Sequence, residues 1–191
     1  MGREITDYLS KYIDLNEDLK NIINANALVK EFEKGTVLLK KGDRSTESFY
    51  ILKGCIRCYY LKNGEEKTTD FYTEEQAVIP SCYGKQEVSK YFLECIEDTI
   101  AGVNTPETES EMYQECPELE SISRFMGDLL MAQHQEMLDD FEIITPEERY
   151  LNLLKNRPEL LQRIPQHLMA SHLGVQPEAV SLVREKAMKK L

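Results

Sequence analysis

The sequence predicts an α+β protein with an N-terminal antiparallel β-roll of the cupin-like jelly-roll type, a long helix and a C-terminal helix-turn-helix. Three observations carry this prediction: apolar residues with a period of two between 27 and 104, a helical pattern over 117–144, and a helical hairpin over 166–185. The 191 residues, 41% hydrophobic and 30% charged, are enough to bury a sizeable core. We expect three parts, at 1–116, 117–144 and 145–191.

The first part begins with apolar residues at helical spacing over 4–25, where Asn16 is a candidate N-cap for the second of two short helices. Short apolar runs separated by Gly, Asp and Asn then follow, as in antiparallel rolls and sandwiches. The clearest hairpin joins CIRCYYL to EKTTDFY through Asn63-Gly64, a pair typical of type I′ turns. Cys55 and Cys58 form a C-x-x-C in this hairpin, but strand alternation favours two packed thiols over a metal or redox site.

The second part, 117–144, begins with Pro117 and would extend roughly 40 Å at the helical rise per residue. A helix of this length exceeds what the core of a small domain needs. We therefore expect a stripe of Ile122, Met126 and Leu129 to pair with a second copy of the chain, which makes the protein a homodimer. A long helix buried wholly within one chain remains the alternative.

The third part begins at Thr145, which forms a capping box with Glu148. The following segment, QHLMASHLGVQPEAVSLVRE, satisfies the constraints of a helix-turn-helix: a small residue at the helix crossing, a residue that tolerates positive φ in the turn, and apolar residues on the second helix. The residues at these positions are Ala170, Gly174, Val180 and Val183. A purely structural hairpin would share some of these features.

Double-stranded DNA is the partner that this motif predicts. The outward residues of the second helix would face base edges in the major groove, and these are Gln176, Glu178, Ser181, Leu182 and Glu185. Basic residues would contact phosphates, namely Arg163, Arg184, Lys186, Lys189 and Lys190. From Thr145 onward eight basic residues accompany five acidic ones, a net charge of +3, whereas the preceding 144 residues carry −14.

The chain resembles the Crp/Fnr transcription regulators of bacteria. The resemblance rests on FEKGTVLLKKGD and FYILKGCIR, whose glycines 35, 42 and 54 resemble the opening of that family's cyclic-nucleotide-binding roll, and on the order of roll, long helix and helix-turn-helix. It implies a DNA-binding regulator whose roll senses a small effector. Family members usually place a glutamate and, four residues later, an arginine toward the bases, and here Glu178 is followed by Leu182.

The effector implied by this resemblance is not cyclic AMP. Members that bind it carry a Gly-Glu pair and then an arginine, whereas TEEQAVIPSCYGKQEVSKYFLECIE has neither. A buried cyclic phosphate without a guanidinium would be poorly compensated. We place the effector pocket at Tyr83, Lys85 and Lys90. Because no cysteine precedes Cys55 and no histidine precedes His134, the family's iron-sulfur and haem sites are absent, and we expect no metal or cofactor.

The sequence also bears on two other classes of function, a module that binds a protein partner and an enzyme. A ligand-binding roll that controls a protein partner, with its helix-turn-helix kept as an interaction surface, is favoured by Leu182 and the acidic Glu178 and Glu185. An enzyme of the cupin class would need histidine ligands in the roll, where none occur, so we expect no catalysis. His167 and His172 are interpreted as surface residues of the helix-turn-helix. No apolar run approaches the ~20 residues of a membrane span, and we expect a cytoplasmic protein.

Overall fold

A computed structural model describes residues 3–11, 14–26, 28–125, 127–128 and 144–189. The chain is a mixed α+β protein, as predicted, and begins with helices α1 (Arg3–Leu9) and α2 (Glu17–Asn26). The side chain of Asn16 accepts a hydrogen bond from the backbone N–H of Leu19 at 2.8 Å, which confirms its role as the N-cap of α2.

Eight strands follow in the described residues and form two four-stranded sheets, with the strand orders β1-β8-β3-β6 and β2-β7-β4-β5. The pairs β1–β8, β2–β7, β3–β6 and β3–β8 are antiparallel. This confirms the predicted β-roll. The strands are β1 (Leu28–Phe32), β2 (Val37–Leu39), β3 (Ser48–Lys53), β4 (Ile56–Lys62), β5 (Glu65–Tyr72), β6 (Ala77–Val78), β7 (Phe92–Cys95) and β8 (Thr99–Asn104).

The register of β3 and β8 defines the two faces of the first sheet. Phe49 pairs with Val103 and Ile51 with Ala101, and all four are almost completely buried in the roll. Because side chains alternate along a strand, the intervening residues of β3 face away from the roll. Tyr50 accordingly packs against α1 rather than into the roll.

The hairpin of β4 and β5 turns at Asn63 (φ 56°) and Gly64 (φ 84°). Two successive positive φ values are what a type I′ turn requires, so the turn predicted from the Asn-Gly pair is confirmed. Cys55 and Cys58, the C-x-x-C of the sequence, are buried free thiols, as are Cys82 and Cys95. Burial raises the pKa of Cys95 to about 11, which keeps this thiol protonated at neutral pH.

Two helices were not predicted. One is the short helix Leu160–Arg163. The other, α3 (Pro106–Glu115), follows the roll, and its capping box joins Thr105 and Thr108. Helix α4 begins at 118 and is described to 128, apart from 126. The remainder of the predicted long helix, 129–143, lies outside the described residues.

The C-terminal helices are α5 (Pro146–Asn156), α6 (Leu160–Arg163), α7 (Gln166–Leu173) and α8 (Val180–Met188), with a 3₁₀ turn (Pro177–Ala179) before α8. Thr145 caps α5 through the predicted capping box with Glu148. The chain divides into two compact units, which differ from the three parts expected from the sequence. The first unit contains Met1–Cys58 and Phe71–Ala132, and the second contains Tyr59–Asp70 and Gln133–Leu191. The tip of the β4–β5 hairpin thus belongs to the C-terminal unit.

Candidate DNA-binding surface and ligand cavity

The turn of the C-terminal helical hairpin is built on Gly174. This residue ends α7 in the left-handed conformation (φ 73°, ψ 32°), and its N–H donates to the carbonyl oxygens of Ala170 and Ser171. A Cβ atom at this position would also lie 3.1 Å from Nη1 of Arg149. Gly174 is therefore suited to the turn by both its backbone conformation and its lack of a side chain.

The other residues of the motif provide the packing between α7 and α8. Ala170, Leu173 and Val183 are buried, with exposed fractions of 1%, 0% and 5%, and Val180 is half-buried. Arg149 adds a contact that the sequence did not indicate, because its Nη1 donates to the carbonyl oxygen of Leu173 at 3.2 Å. Burial lowers the pKa of Arg149 from its usual value. An arginine on a preceding helix gave no signal in the pattern of the motif itself.

The predicted base-reading residues all lie on the exposed side of this hairpin, although not all in one α-helix. Gln176 precedes the 3₁₀ turn and Glu178 lies within it, so the α-helical part of the recognition segment begins at Val180 rather than at 177. Leu182 is 51% exposed. The exposed set is Gln176, Glu178, Ser181, Leu182 and Glu185.

Three of the predicted phosphate contacts, Arg184, Lys186 and Lys189, lie on α8 or at its C-cap, and two of these are already paired. Nζ of Lys186 lies 3.8 Å from a carboxylate oxygen of Glu147, and Nζ of Lys189 lies 2.6 Å from one of Glu185. Arg184 is exposed and Arg163 is half-buried. Lys190 lies outside the described residues.

His172, also on α7, is half-buried rather than exposed as predicted. Its ring lies against the tip of the β4–β5 hairpin, and its Nδ1 atom is inaccessible to solvent. Burial lowers the pKa of His172 to about 4, while a hydrogen bond with the backbone of Thr68 opposes the shift. His167, in contrast, is exposed as expected. Only a contact distant in sequence distinguishes the two histidines.

The N-terminal unit contains a cavity of about 410 Å³. Tyr83, from the predicted effector pocket, lines it. The structure does not bring the other two residues of that prediction to the cavity: Lys85 is exposed and its Nζ donates to the carbonyl oxygen of Ser81 at 2.9 Å, and Lys90 is also exposed.

The predicted dimerisation stripe is described only at its first residue. Ile122 is half-buried and packs against a cluster that includes Leu19 and Leu119 of its own chain. Phe125, on the same helix, is 51% exposed. Met126 and Leu129 lie outside the described residues. Ile122 thus has packing partners within the chain before any second copy is considered.

No group of three or more His, Cys, Asp or Glu side chains that could hold a metal ion occurs in the described part of the chain. None of the described helices is both long enough and apolar enough to cross a bilayer.

Comparison with known proteins agrees with this architecture. Residues 29–103 match the model of the cyclic nucleotide-binding domain, which corresponds to the β-roll. No curated protein matches the chain closely enough in sequence to count as a relative.

Solved structures extend the likeness to most of the chain. FixK2 from Bradyrhizobium japonicum matches with a TM-score of 0.67 at 14% identity, covering 86% of this chain and 85% of its own. The c-di-GMP responsive global regulator CLP from Xanthomonas campestris matches with a TM-score of 0.68 at 14% identity, covering 89% and 90%. A transcriptional regulator of the Crp/Fnr family from Eubacterium rectale matches with a TM-score of 0.65 at 18% identity, covering 96% and 88%.

These matches show one domain of the chain and its fold. A cyclic nucleotide-binding domain followed by a C-terminal helical unit is the architecture of a Crp/Fnr transcription regulator. The chain carries that domain and has that fold, as the sequence predicted.

Proposed function

We propose that this protein is a DNA-binding transcription regulator that acts as a homodimer and responds to a small effector other than cyclic AMP. The observation that carries the proposal is the helical hairpin of α7 and α8. Its core residues are buried around the left-handed Gly174, while five side chains of the recognition segment face solvent together. A helix presented in this way can enter the major groove with its N-terminal residues against base edges.

The chemistry of the exposed side chains supports DNA as the partner, with an unusual sequence preference. Glutamate accepts a hydrogen bond from the cytosine amino group, glutamine pairs with adenine, and leucine contacts the thymine methyl. Leu182 lies one helical turn beyond Glu178, where it cannot bind a guanine as an arginine would. We therefore expect a preference for bases that offer an amino group or a methyl group.

The charges on and near α8 support a moderate affinity for DNA. Lys186 and Lys189 each have a carboxylate within 4 Å, so their contacts with phosphates require exchange of one anionic partner for another. Arg184 is the exposed cation of the set without such an ion pair among the described residues. Electrostatic attraction to the DNA backbone should depend mainly on this residue.

A second candidate is supported by the same surface. An exposed leucine flanked by Glu178 and Glu185 also suits a protein partner, with the roll as a ligand-sensing module. Selection of sequences from random double-stranded DNA distinguishes the two. If the wild type enriches a pseudo-palindrome and Leu182→Arg adds a guanine preference at one position, DNA is the partner. If neither protein enriches any sequence at low salt, the protein-partner function replaces it.

A further inference from the structure

The cavity of the N-terminal unit lies outside the β-roll. Its floor includes Ser48 and Tyr50 of β3 and Asn104 of β8. In the strand register Ser48 pairs with Asn104 and Tyr50 with Gly102, whereas Ile51 and Ala101, a pair on the opposite face, are completely buried and do not line the cavity. The cavity is therefore on the outer face of the β1-β8-β3-β6 sheet, separate from the interior of the roll.

The walls of the cavity are mostly apolar and come from four helices. Residues that line it include Ile5 and Leu9 of α1, Ile23 of α2, Met112 of α3 and Ile122 of α4. A volume of about 410 Å³ lies in the range of small-molecule sites. The lining thus suits a compact ligand with an apolar body.

The polar lining of the cavity includes the carboxylates of Glu109 and Glu120. Glu109 of α3 lines the cavity and interacts with the side chains of Tyr83 and Tyr113. Burial raises the pKa of Glu109, because the charged form loses solvation there. The hydroxyl oxygen of Tyr83 is inaccessible to solvent and interacts with the side chains of Ser48 and Glu109. The carboxylate of Glu109 is therefore the acceptor that this end of the cavity offers to a ligand.

The balance of charge in the cavity determines which ligand is favoured. Among the described lining residues the only basic one is Arg124, and its guanidinium lies 2.9 Å from the carboxylate of Glu120 in an exposed pair. Glu109 therefore has no cation beside it in the described lining. A partly desolvated carboxylate would repel an anionic ligand and would be stabilised by a cationic one. The rings of Tyr83 and Tyr113 would add cation–π attraction.

We propose that this cavity binds an apolar small molecule that carries one ammonium group, with the ammonium at Glu109 between Tyr83 and Tyr113 and the apolar body against α1 and β3. Because Leu119 and Ile122 of α4 also line the cavity, the ligand would alter how the start of α4 packs on the sheet. This role as an effector rests on the proposed function as a DNA-binding regulator. The binding of the ligand itself does not.

The test compares three molecules that differ only in their polar group: 2-phenylethylamine, 2-phenylethanol and 3-phenylpropanoate. Calorimetry with the full chain and without DNA should show that the amine binds most tightly, by roughly tenfold over the alcohol, and that the carboxylate does not bind. Equal binding of the amine and the alcohol, stronger binding of the carboxylate, or no binding of any of them would overturn the proposal. The last result would also be expected if a second copy of the chain filled the cavity.

Variants locate the site. Glu109→Gln should lower the affinity for the amine by roughly tenfold and leave the affinity for the alcohol unchanged. The matched control is Glu107→Gln, an exposed acid in the first turn of the same helix, which should change neither affinity. Ala77→Phe places a ring at the cavity wall and should abolish binding of the amine while the melting temperature is kept. Unaltered amine binding in Glu109→Gln or in Ala77→Phe would show that the site lies elsewhere.

The effector role has a separate readout. Adding 2-phenylethylamine to the DNA-binding reaction should change the affinity for DNA in the wild type but not in Glu109→Gln. Since the calorimetric titrations contain no DNA, they keep their meaning if the DNA-binding proposal fails. An amine that binds at Glu109 without any effect on DNA affinity would overturn the effector role alone.

Discussion

The backbone N–H of Thr68 donates a hydrogen bond to Oγ of Ser171 at 2.9 Å, and the same hydroxyl donates to the carbonyl oxygen of Glu66 at 2.7 Å. Strand β5 is at the edge of its sheet, where backbone groups have no neighbouring strand. One serine of α7 thus provides both an acceptor and a donor for the hairpin tip. Nη1 of Arg157 lies 3.8 Å from Oδ1 of Asp70 in the same hairpin.

Ser171→Ala should destabilise the C-terminal unit by about 1–3 kcal/mol, because the N–H of Thr68 and the carbonyl of Glu66 lose their partner. Thermal or urea unfolding measures the effect. The matched control is Ser181→Ala on the exposed side of α8, which should stay within about 0.5 kcal/mol of the wild type. An equal effect of the two substitutions would show that the hairpin contact contributes nothing specific.

His172 should make the stability of the protein fall in mild acid. Its folded pKa of about 4 lies below the ordinary value of 6.5, so the unfolded chain binds more protons between these two pH values. The contribution of His172 to the free energy of unfolding is present in full above pH 6.5. It decreases toward pH 4, by up to roughly 1.4 kcal/mol per pH unit. Unfolding of His172→Gln over this range should lack that part of the slope. His167→Gln, an exposed control, should keep it.

Gly174→Ala should destabilise the helix-turn-helix by about 1–2 kcal/mol, because the left-handed conformation costs a residue with a Cβ that amount. The contact with Arg149 at 3.1 Å adds to the cost. Gly127→Ala is the control: nothing lies within 4 Å of its Cβ position, and alanine is the better helix former. Denaturation should show a loss for the first variant and no loss for the second. A Gly174→Ala protein as stable as the wild type would contradict the role of the turn.

Cyclic AMP should not bind at micromolar concentrations. The segment between β6 and β7 contains two basic residues, Lys85 and Lys90, and both are exposed. It contains no arginine that could hold a cyclic phosphate. Calorimetric titration of the full chain with cyclic AMP should show no heat of binding. A micromolar dissociation constant would contradict the prediction, and its loss in Lys85→Gln would identify the substitute for the arginine.

The features that the sequence predicted best are those with a local cause. Asn63-Gly64, the Thr145 capping box and Gly174 each depend on backbone conformation within a few residues, and each was found in its predicted role. The capping box of α3 uses Thr108 in place of the usual Glu or Gln, and this helix was missed.

Features that depend on contacts distant in sequence were harder to predict. The burial of His172 requires the hairpin tip, which lies about a hundred residues earlier in the chain. Ile122 fitted a stripe for a second copy by its helical spacing, yet helix α2 provides its packing partners. The cavity around Glu109 joins β3, α1 and α3, and no pattern within one segment would reveal it.

The dependence of DNA affinity on salt tests whether α8 and the turn before it bind DNA. Anisotropy titrations with an enriched duplex should show an affinity that falls steeply as salt rises. Arg184→Gln should lower the slope of log K against log salt by about 1, while Lys41→Gln, an exposed cation of the roll, should leave it unchanged. Equal slopes for all three proteins, or no binding at low salt, would contradict the assignment of this surface to DNA.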